Sequence, residues 1–193
     1  MPNYTGINHL AMATSDMDAT IRFWRDLLGM RLVAGLGRPG YRHYFLEISG
    51  QDMIAFFEWP EVRPVEPKDH GVPVKGPFAF DHVSFGVSDR DELWEIKARL
   101  EAAGFWASEV LDHGFILSLY SFDPNNIAIE FSWPQPGMNV HERPRLVDRH
   151  PPEVRLEGAD PQPGKWPEPA PVSRGDRVVY PGEGREILGR GSG

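Results

Sequence analysis

The chain has 193 residues, a formal net charge of −8 and a hydrophobic content of 40%, which suits an ordinary globular protein with one or two small domains. An acidic chain has no electrostatic attraction to nucleic acid or to anionic lipid, so neither is expected as a partner. The absence of cysteine excludes disulfides and thiolate ligands, and the lack of a leader pattern or a long apolar stretch predicts a cytoplasmic protein without membrane contact.

Two segments of the sequence resemble each other and begin 73 residues apart. Each opens with a short alternating strand, which carries His9 in the first copy and His82 in the second. The strand runs into the pair Ser-Asp, a favoured helix N-cap, and apolar residues at helical spacing follow. Glycine ends each predicted helix, at Gly29 and Gly104.

Three strand-like runs follow each helix, so each copy predicts a βαβββ module. The predicted fold class is α+β, with one domain over residues 1–133. Module one spans 5–59, a proline-rich linker spans 60–79, and module two spans 80–133. Residues 134–193 hold 11 of the 19 prolines and predict a C-terminal arm that wraps the domain or a neighbouring subunit, or stays unpacked.

Strand alternation predicts one chemically unusual face in each module. In three strands the apolar residues point one way, and small residues surround one ligand-type side chain on the other face: His9, His82 and Glu130. Two histidines and one carboxylate form the facial triad of non-haem Fe(II) oxygenases, with positions left open for substrate. The sequence therefore predicts a divalent metal site, with Fe(II) favoured and Mn(II) and other metals open.

The motifs "NHLAMAT", "DHVSFGVS" and "DPNNIAIEF" resemble the vicinal oxygen chelate superfamily over residues 5–133. That group includes glyoxalase I, extradiol ring-cleavage dioxygenases, fosfomycin-resistance thiol transferases and bleomycin-binding proteins. The resemblance implies two modules whose curved, mixed sheets form a cupped, barrel-like metal site. It also implies that His9, His82 and Glu130 are the metal ligands.

The stretch "DHGFILSLYSFDPNNIAIE" is similar to the extradiol dioxygenase signature, with His113, Tyr120 and Glu130 at its defining positions. The resemblance implies Fe(II), a catechol-like aromatic substrate bound through two vicinal oxygens, and O₂. Tyr120 would hydrogen-bond a substrate oxygen, and His113 would hydrogen-bond the substrate or take part in proton transfer.

The chain also departs from that signature. The pattern prefers glycine or proline at Asn126 and a different residue at Leu111. Extradiol enzymes usually carry a further histidine where this chain has residues 51–52, Gln-Asp. His43 and His70 are possible replacements, although each fits better as a surface residue.

Other activities within the superfamily stay open. Glyoxalase I uses a second carboxylate, for which Glu58 is the candidate and Zn(II), Ni(II) or Co(II) the metals. Alignment of the last strands, however, places Phe57 opposite Glu130, so Glu58 would need a bulge to reach the site. A thiol transferase would need a cationic pocket, and a bleomycin-type binding protein would need no metal. A small aromatic or vicinal-oxygen substrate is expected in each catalytic case, and a homo-oligomer is possible.

Overall fold

The computed structural model describes residues 5–76, 79–137 and 139–181. Module one contains four strands and one helix that changes from α to π geometry: β1 (His9–Thr14), α1 (Met17–Ile21, continued as a π-helix over Arg22–Leu27), β2 (Arg31–Arg38), β3 (Tyr41–Glu47) and β4 (Met53–Glu58). Module two repeats this order: β5 (Val83–Gly86), α2 (Glu92–Ala102), β6 (Leu111–Asp112), β7 (Ile116–Phe122) and β8 (Ala128–Pro134). The predicted βαβββ duplication is confirmed.

Each module forms one mixed four-stranded sheet, with strand orders β1-β4-β3-β2 and β5-β8-β7-β6. The first and last strands of each module pair in parallel, while the remaining neighbours are antiparallel. The predicted α+β fold class is therefore confirmed. In both modules the parallel pair lies at one edge of the sheet. The first strand of each module, which begins at or just after its histidine, therefore lies beside the last strand of the same module.

The apolar faces of both sheets share one core, and Trp24 lies at its centre. Its indole is fully buried and packs against Phe56 of module one and Phe85 of module two, with ring centroids 6.0 and 5.4 Å away. Phe23 contacts Phe105 of module two at 4.7 Å. Phe23 and Trp24 are both buried and lie in the π-helical part of α1.

The start of the helix follows the sequence prediction in module one and differs from it in module two, whereas both helices end before the predicted glycine. Asp16 caps α1 by accepting from the backbone N–H of Ala19, as predicted. The Ser-Asp pair before α2 is not its N-cap. Instead, the carboxylate of Glu92, inside the helix, accepts from the backbone N–H groups of residues 88 and 89. Gly29 and Gly104 adopt φ values of 80° and 83°, which suits glycine after a helix.

The described part of the C-terminal arm, residues 139–181, has two short 3₁₀ turns and an exposed surface. Two of its large apolar side chains, Trp166 and Val179, are 85% and 92% exposed, so they do not anchor it to the domain. None of the described helices is long and apolar enough to cross a membrane.

A buried polar network joins the modules at the turn between β7 and β8. Asp123 is 2% exposed and accepts from the backbone N–H groups of Asn125 and Ile127, at 2.8 and 2.9 Å. The Asn125 side chain donates to Asp123 and reaches Thr20 of module one. Burial raises the pKa of the Asp123 carboxyl, while these hydrogen bonds oppose the rise.

Replacement of Asp123 by alanine should lower the free energy of unfolding by about 2–4 kcal/mol, because it leaves buried N–H groups without an acceptor. Denaturant unfolding measures the change. Asp148→Ala is the matched control, since Asp148 makes the same type of contact to a backbone N–H in an exposed position. Equal stability of the two variants would contradict a structural role for the buried turn.

Candidate metal centre

Two predicted ligands, His82 and Glu130, meet on the open face of module two, the face turned away from the shared core. His82 directly precedes β5, and β5 pairs in parallel with β8, which carries Glu130. The His82 Nε2 atom lies 3.0 Å from Glu130 Oε2. Glu130 is 4% exposed, and its Oε1 atom has no hydrogen-bond partner among the described residues.

The charges around His82 favour a bound cation. The Nδ1 atom of His82 lies 2.6 Å from a carboxylate oxygen of Asp81, so Nδ1 carries the proton and donates it to that oxygen. In the tautomer whose one proton is on Nδ1, the ring presents the Nε2 lone pair to Glu130. Two lone-pair atoms attract each other only through a shared proton or metal ion, and a buried carboxylate oxygen also needs a positive partner. Imidazole and carboxylate are ligands for Fe, Zn and other divalent metals, so these residues fit such an ion.

His9 does not join this pair within the chain. It lies on the open face of module one, and its described contacts are the Asn8 side chain at 2.9 Å and the Phe45 ring at 5.5 Å. In the described ranges, no three His, Cys, Asp or Glu side chains are grouped to hold a metal. One chain therefore brings together two of the three predicted ligands.

Strand register decides which residue of module one corresponds to Glu130. Glu130 pairs with the residue two positions after His82. The equivalent residue of module one, two positions after His9, pairs with Ala55. Ala55 therefore occupies the place of Glu130, and the alignment that put Phe57 there is wrong by two residues. Neither side chain can ligate a metal.

Glu58 points to the opposite face and supports the fold. Its Oε1 atom accepts from the backbone N–H of Met17 at 2.8 Å, and Oε2 pairs with Arg42 at 2.7 Å. The pairing of β4 is continuous on both sides, so no bulge turns Glu58 toward the open face. The four-ligand arrangement expected of glyoxalase I therefore lacks its second carboxylate in this chain.

Tyr120 and His113 contact each other beside the pair. Tyr120 lies directly across from Glu130 on β7, and its hydroxyl is 2.9 Å from His113 Nε2. Burial raises the pKa of the Tyr120 phenol, and the Glu130 carboxylate raises it further. The phenol therefore stays protonated near neutral pH and can donate a hydrogen bond.

Asn126, one departure from the extradiol signature, has a physical explanation. It adopts φ 60°, in the left-handed region. Glycine adopts this region with the least steric strain, and asparagine tolerates it better than most other residues do. Asparagine can therefore keep the turn that leads into β8 and Glu130. The structure gives no corresponding account of Leu111.

The structure corrects the expectation that His43 and His70 are surface residues. His43 is 5% exposed and stacks on Phe57 with ring centroids 3.6 Å apart. His70 lies in the linker but packs against Tyr120 and His82, with centroids 4.6 and 5.6 Å away. Burial lowers the pKa of His70. A proline-rich linker has no periodicity, so the sequence held no signal for this placement.

Asp81 also lies at the candidate site, although the sequence pattern did not indicate it. The adjacent pair Asp81-His82 was visible, but many such pairs have no contact between their side chains. Lys68, from the linker, forms an ion pair with Asp81 at 2.5 Å. Because 13 residues separate them, only the folded path of the linker reveals this contact.

The fold and the match to known proteins define the class. Residues 6–131 match the family model described as the Glyoxalase/Bleomycin resistance protein/Dioxygenase superfamily. The chain belongs to this superfamily, which is the vicinal oxygen chelate group. A crystal structure of such a domain from Frankia sp. EAN1pec has a TM-score of 0.59 and 21% identity, covering 72% of this chain and 99% of that one.

Two curated relatives carry different activities. A lactoylglutathione lyase from Haemophilus influenzae is 31% identical over 130 residues, which are 65% of this chain and 90% of that protein. An iron-dependent extradiol dioxygenase from Rhodococcus jostii is 24% identical over 134 residues, which are 65% of this chain and 42% of that protein. The superfamily is largely enzymatic and typically uses a divalent metal, and its relatives here do not agree on one reaction.

Replacement of Glu58 by alanine should lower the free energy of unfolding by about 1–2 kcal/mol, because it removes an acceptor from Met17 and an ion pair from Arg42. Thermal and denaturant unfolding measure this. Glu47→Ala is the matched control, since Glu47 pairs with Arg31 across the same sheet in a more exposed position. An unchanged stability together with lost metal uptake would return Glu58 to the ligand set.

Proposed function

We propose that the protein is a metal-dependent dioxygenase that cleaves a catechol-like aromatic ring by extradiol chemistry, with His9, His82 and Glu130 as ligands. The observation that carries this proposal is the hydrogen bond between Tyr120 and His113 beside the His82–Glu130 pair. Metal ligation alone would not require a protonated phenol and an imidazole at this position. A reaction that moves a proton on and off a substrate oxygen would use both.

The expected metal is Fe(II), which His9, His82 and Glu130 would hold and which would supply coordination positions for two vicinal substrate oxygens and the redox chemistry for reaction with O₂. Tyr120 would donate to a substrate oxygen. His113 lies within hydrogen-bond distance of the phenol, so it would hold the hydroxyl in position and exchange a proton with it. His113 is exposed and Tyr120 half-buried, so this pair links the site to solvent. The net reaction adds both atoms of O₂ to the substrate.

The shape of the open face supports a planar substrate. Three aromatic rings follow one another across module two: Trp106 lies 5.6 Å from Phe122, which lies 5.2 Å from His70. The His70 ring in turn packs on Tyr120. Flat rings of this kind stack on an aromatic substrate and keep water away from it.

Glyoxalase-type lyase activity is the second candidate. The lactoylglutathione lyase with 31% identity and high coverage supports it. The absence of a carboxylate at Ala55 and the structural role of Glu58 oppose it. A non-catalytic, bleomycin-type binding role would leave the buried Glu130 oxygen without a cation.

A second copy of the chain would complete the site. His9 and the His82–Glu130 pair lie on the open faces of different sheets, and the shared core keeps both faces directed away from it. Each copy would then offer His9 to the pair of the other. The resulting dimer would contain two identical metal sites, as expected for a twofold interface.

Protein loaded with Fe(II) without oxygen should consume O₂ when catechols are added and form ring-opened products. Tyr120→Phe should lower kcat by about 10²-fold, the usual contribution of one positioned acid or base. An oxygen electrode and product spectra measure both effects. Tyr180→Phe, in the exposed arm, is the matched control. Turnover of a hemithioacetal with Ni(II), Zn(II) or Co(II) and no O₂ uptake would instead identify a lyase.

Mixed dimers test the shared site. His9→Ala and Glu130→Ala chains should each retain almost no metal. A heterodimer refolded from the two should regain one complete site of two, and hence half the metal of the wild type. Metal analysis of the heterodimer, isolated through two different tags, gives the answer. A mixture that gains no metal would place all ligands within one chain or refute the ligand set.

A further inference from the structure

The linker lies against module two next to the candidate metal centre. The backbone N–H of Val65 donates to Asn125 O at 3.0 Å, and the Asn126 side chain donates to Val65 O at 2.8 Å. Further along, His70 Nε2 donates to the backbone carbonyl of Ile129, the residue before Glu130, at 2.9 Å. Residues 65–71, called the linker clasp below, are therefore held at the start of β8.

Within the linker clasp, two groups hold Asp81. Lys68 Nζ lies 2.5 Å from one carboxylate oxygen, and the backbone N–H of Gly71 donates to the other at 3.0 Å. That second oxygen also accepts from His82 Nδ1. Asp81 thus receives three hydrogen bonds, two from the clasp and one from His82. The carboxylate has little freedom to turn away from the ring.

We propose that Asp81 is a positioning residue for the metal ligand His82, and that the linker clasp holds Asp81 in place through Lys68. A carboxylate that accepts from Nδ1 fixes the orientation of the imidazole and reserves Nε2 for the metal. It also makes the ring a stronger electron donor. The inference rests on the proposed metal centre, although not on the dioxygenase reaction.

The geometry explains why the clasp is needed. Asp81 stands next to His82 in sequence, and an adjacent carboxylate with free rotamers would leave the ring often enough to loosen the site. The Lys68 and Asp81 side chains are 20% and 36% exposed, so their ion pair is partly shielded from solvent. The linker clasp therefore restricts the Asp81 side chain to the rotamer that contacts His82.

The test measures metal affinity in three variants, Asp81→Ala, Asp81→Asn and Lys68→Gln, by competition of Zn(II) or Co(II) with a chelator. Asp81→Ala should weaken affinity about 10–100-fold, the usual cost of losing the carboxylate behind a histidine ligand. Asp81→Asn keeps an acceptor and should lose less. Lys68→Gln should lose affinity while Lys75→Gln, in the same linker, should not.

A second measurement needs no metal. Two-dimensional ¹⁵N–¹H spectra, with the His82 signals assigned by His82→Gln, report whether Nδ1 carries a proton. Wild-type His82 should hold a slowly exchanging proton on Nδ1, and Asp81→Ala should lose this slow exchange. Thermal unfolding of every variant confirms that the chains are folded. Lys68→Gln keeps the test valid if Asp81→Ala does not fold, because it leaves Asp81 in place.

The outcomes separate this inference from the proposed function. Equal metal affinity of wild type and the folded Asp81 and Lys68 variants, or a His82 Nδ1 without a proton, overturns the positioning role and leaves the reaction untouched. Affinity losses as expected, in a protein that consumes no O₂ with any catechol, support the positioning role and refute the dioxygenase. A wild-type dimer that binds no metal overturns both.

Discussion

The packing of Trp24 between the two sheets is the constraint on which the remaining structure depends. One indole fills the space between Phe56 and Phe85, so each sheet uses its apolar face against a common core. Successive side chains of a strand point to opposite faces, so when one face of the sheet is buried in the core, every second residue lies on the other face. The residues of the candidate site are thus left on the open faces, outside the apolar core.

The charges at the open face of module two are arranged for a cation. Two carboxylates, from Asp81 and Glu130, flank one imidazole, and a single lysine balances one of them. A buried carboxylate without compensation is costly, so Glu130 requires a positive partner, which is either a protonated His82 or a bound cation. The proposed divalent ion would supply this positive charge.

The sequence predicted the parts of the fold that repeat. Duplicated motifs and strand alternation located both modules, and they placed His82 and Glu130 on the same face because parity is a local property of a strand. Register between strands is not local, which is why Phe57 was aligned where Ala55 lies. The separation of His9 from the other two predicted ligands depends on how the modules pack, and the pattern of a single module holds no information about that.

The linker shows a different limit. Its prolines indicated an irregular segment, yet His70 and Lys68 reach the site through contacts that only the folded path creates. Composition distinguishes loops from strands, but it does not reveal which loop lies on which surface. The same reasoning covers the start of α2, where Glu92 supplies from inside the helix the acceptor that a preceding Ser-Asp pair was expected to provide.

The path of the linker also decides where this chain can be reconnected. Because residues 65–71 are bonded to module two, they form part of that module even though they precede its first strand. A circular permutant or a separately expressed second half should therefore open the chain before Val65. The strand order alone suggests a cut in the linker just ahead of β5. That cut would place Lys68 and Asp81 on different pieces of the chain and lose their ion pair.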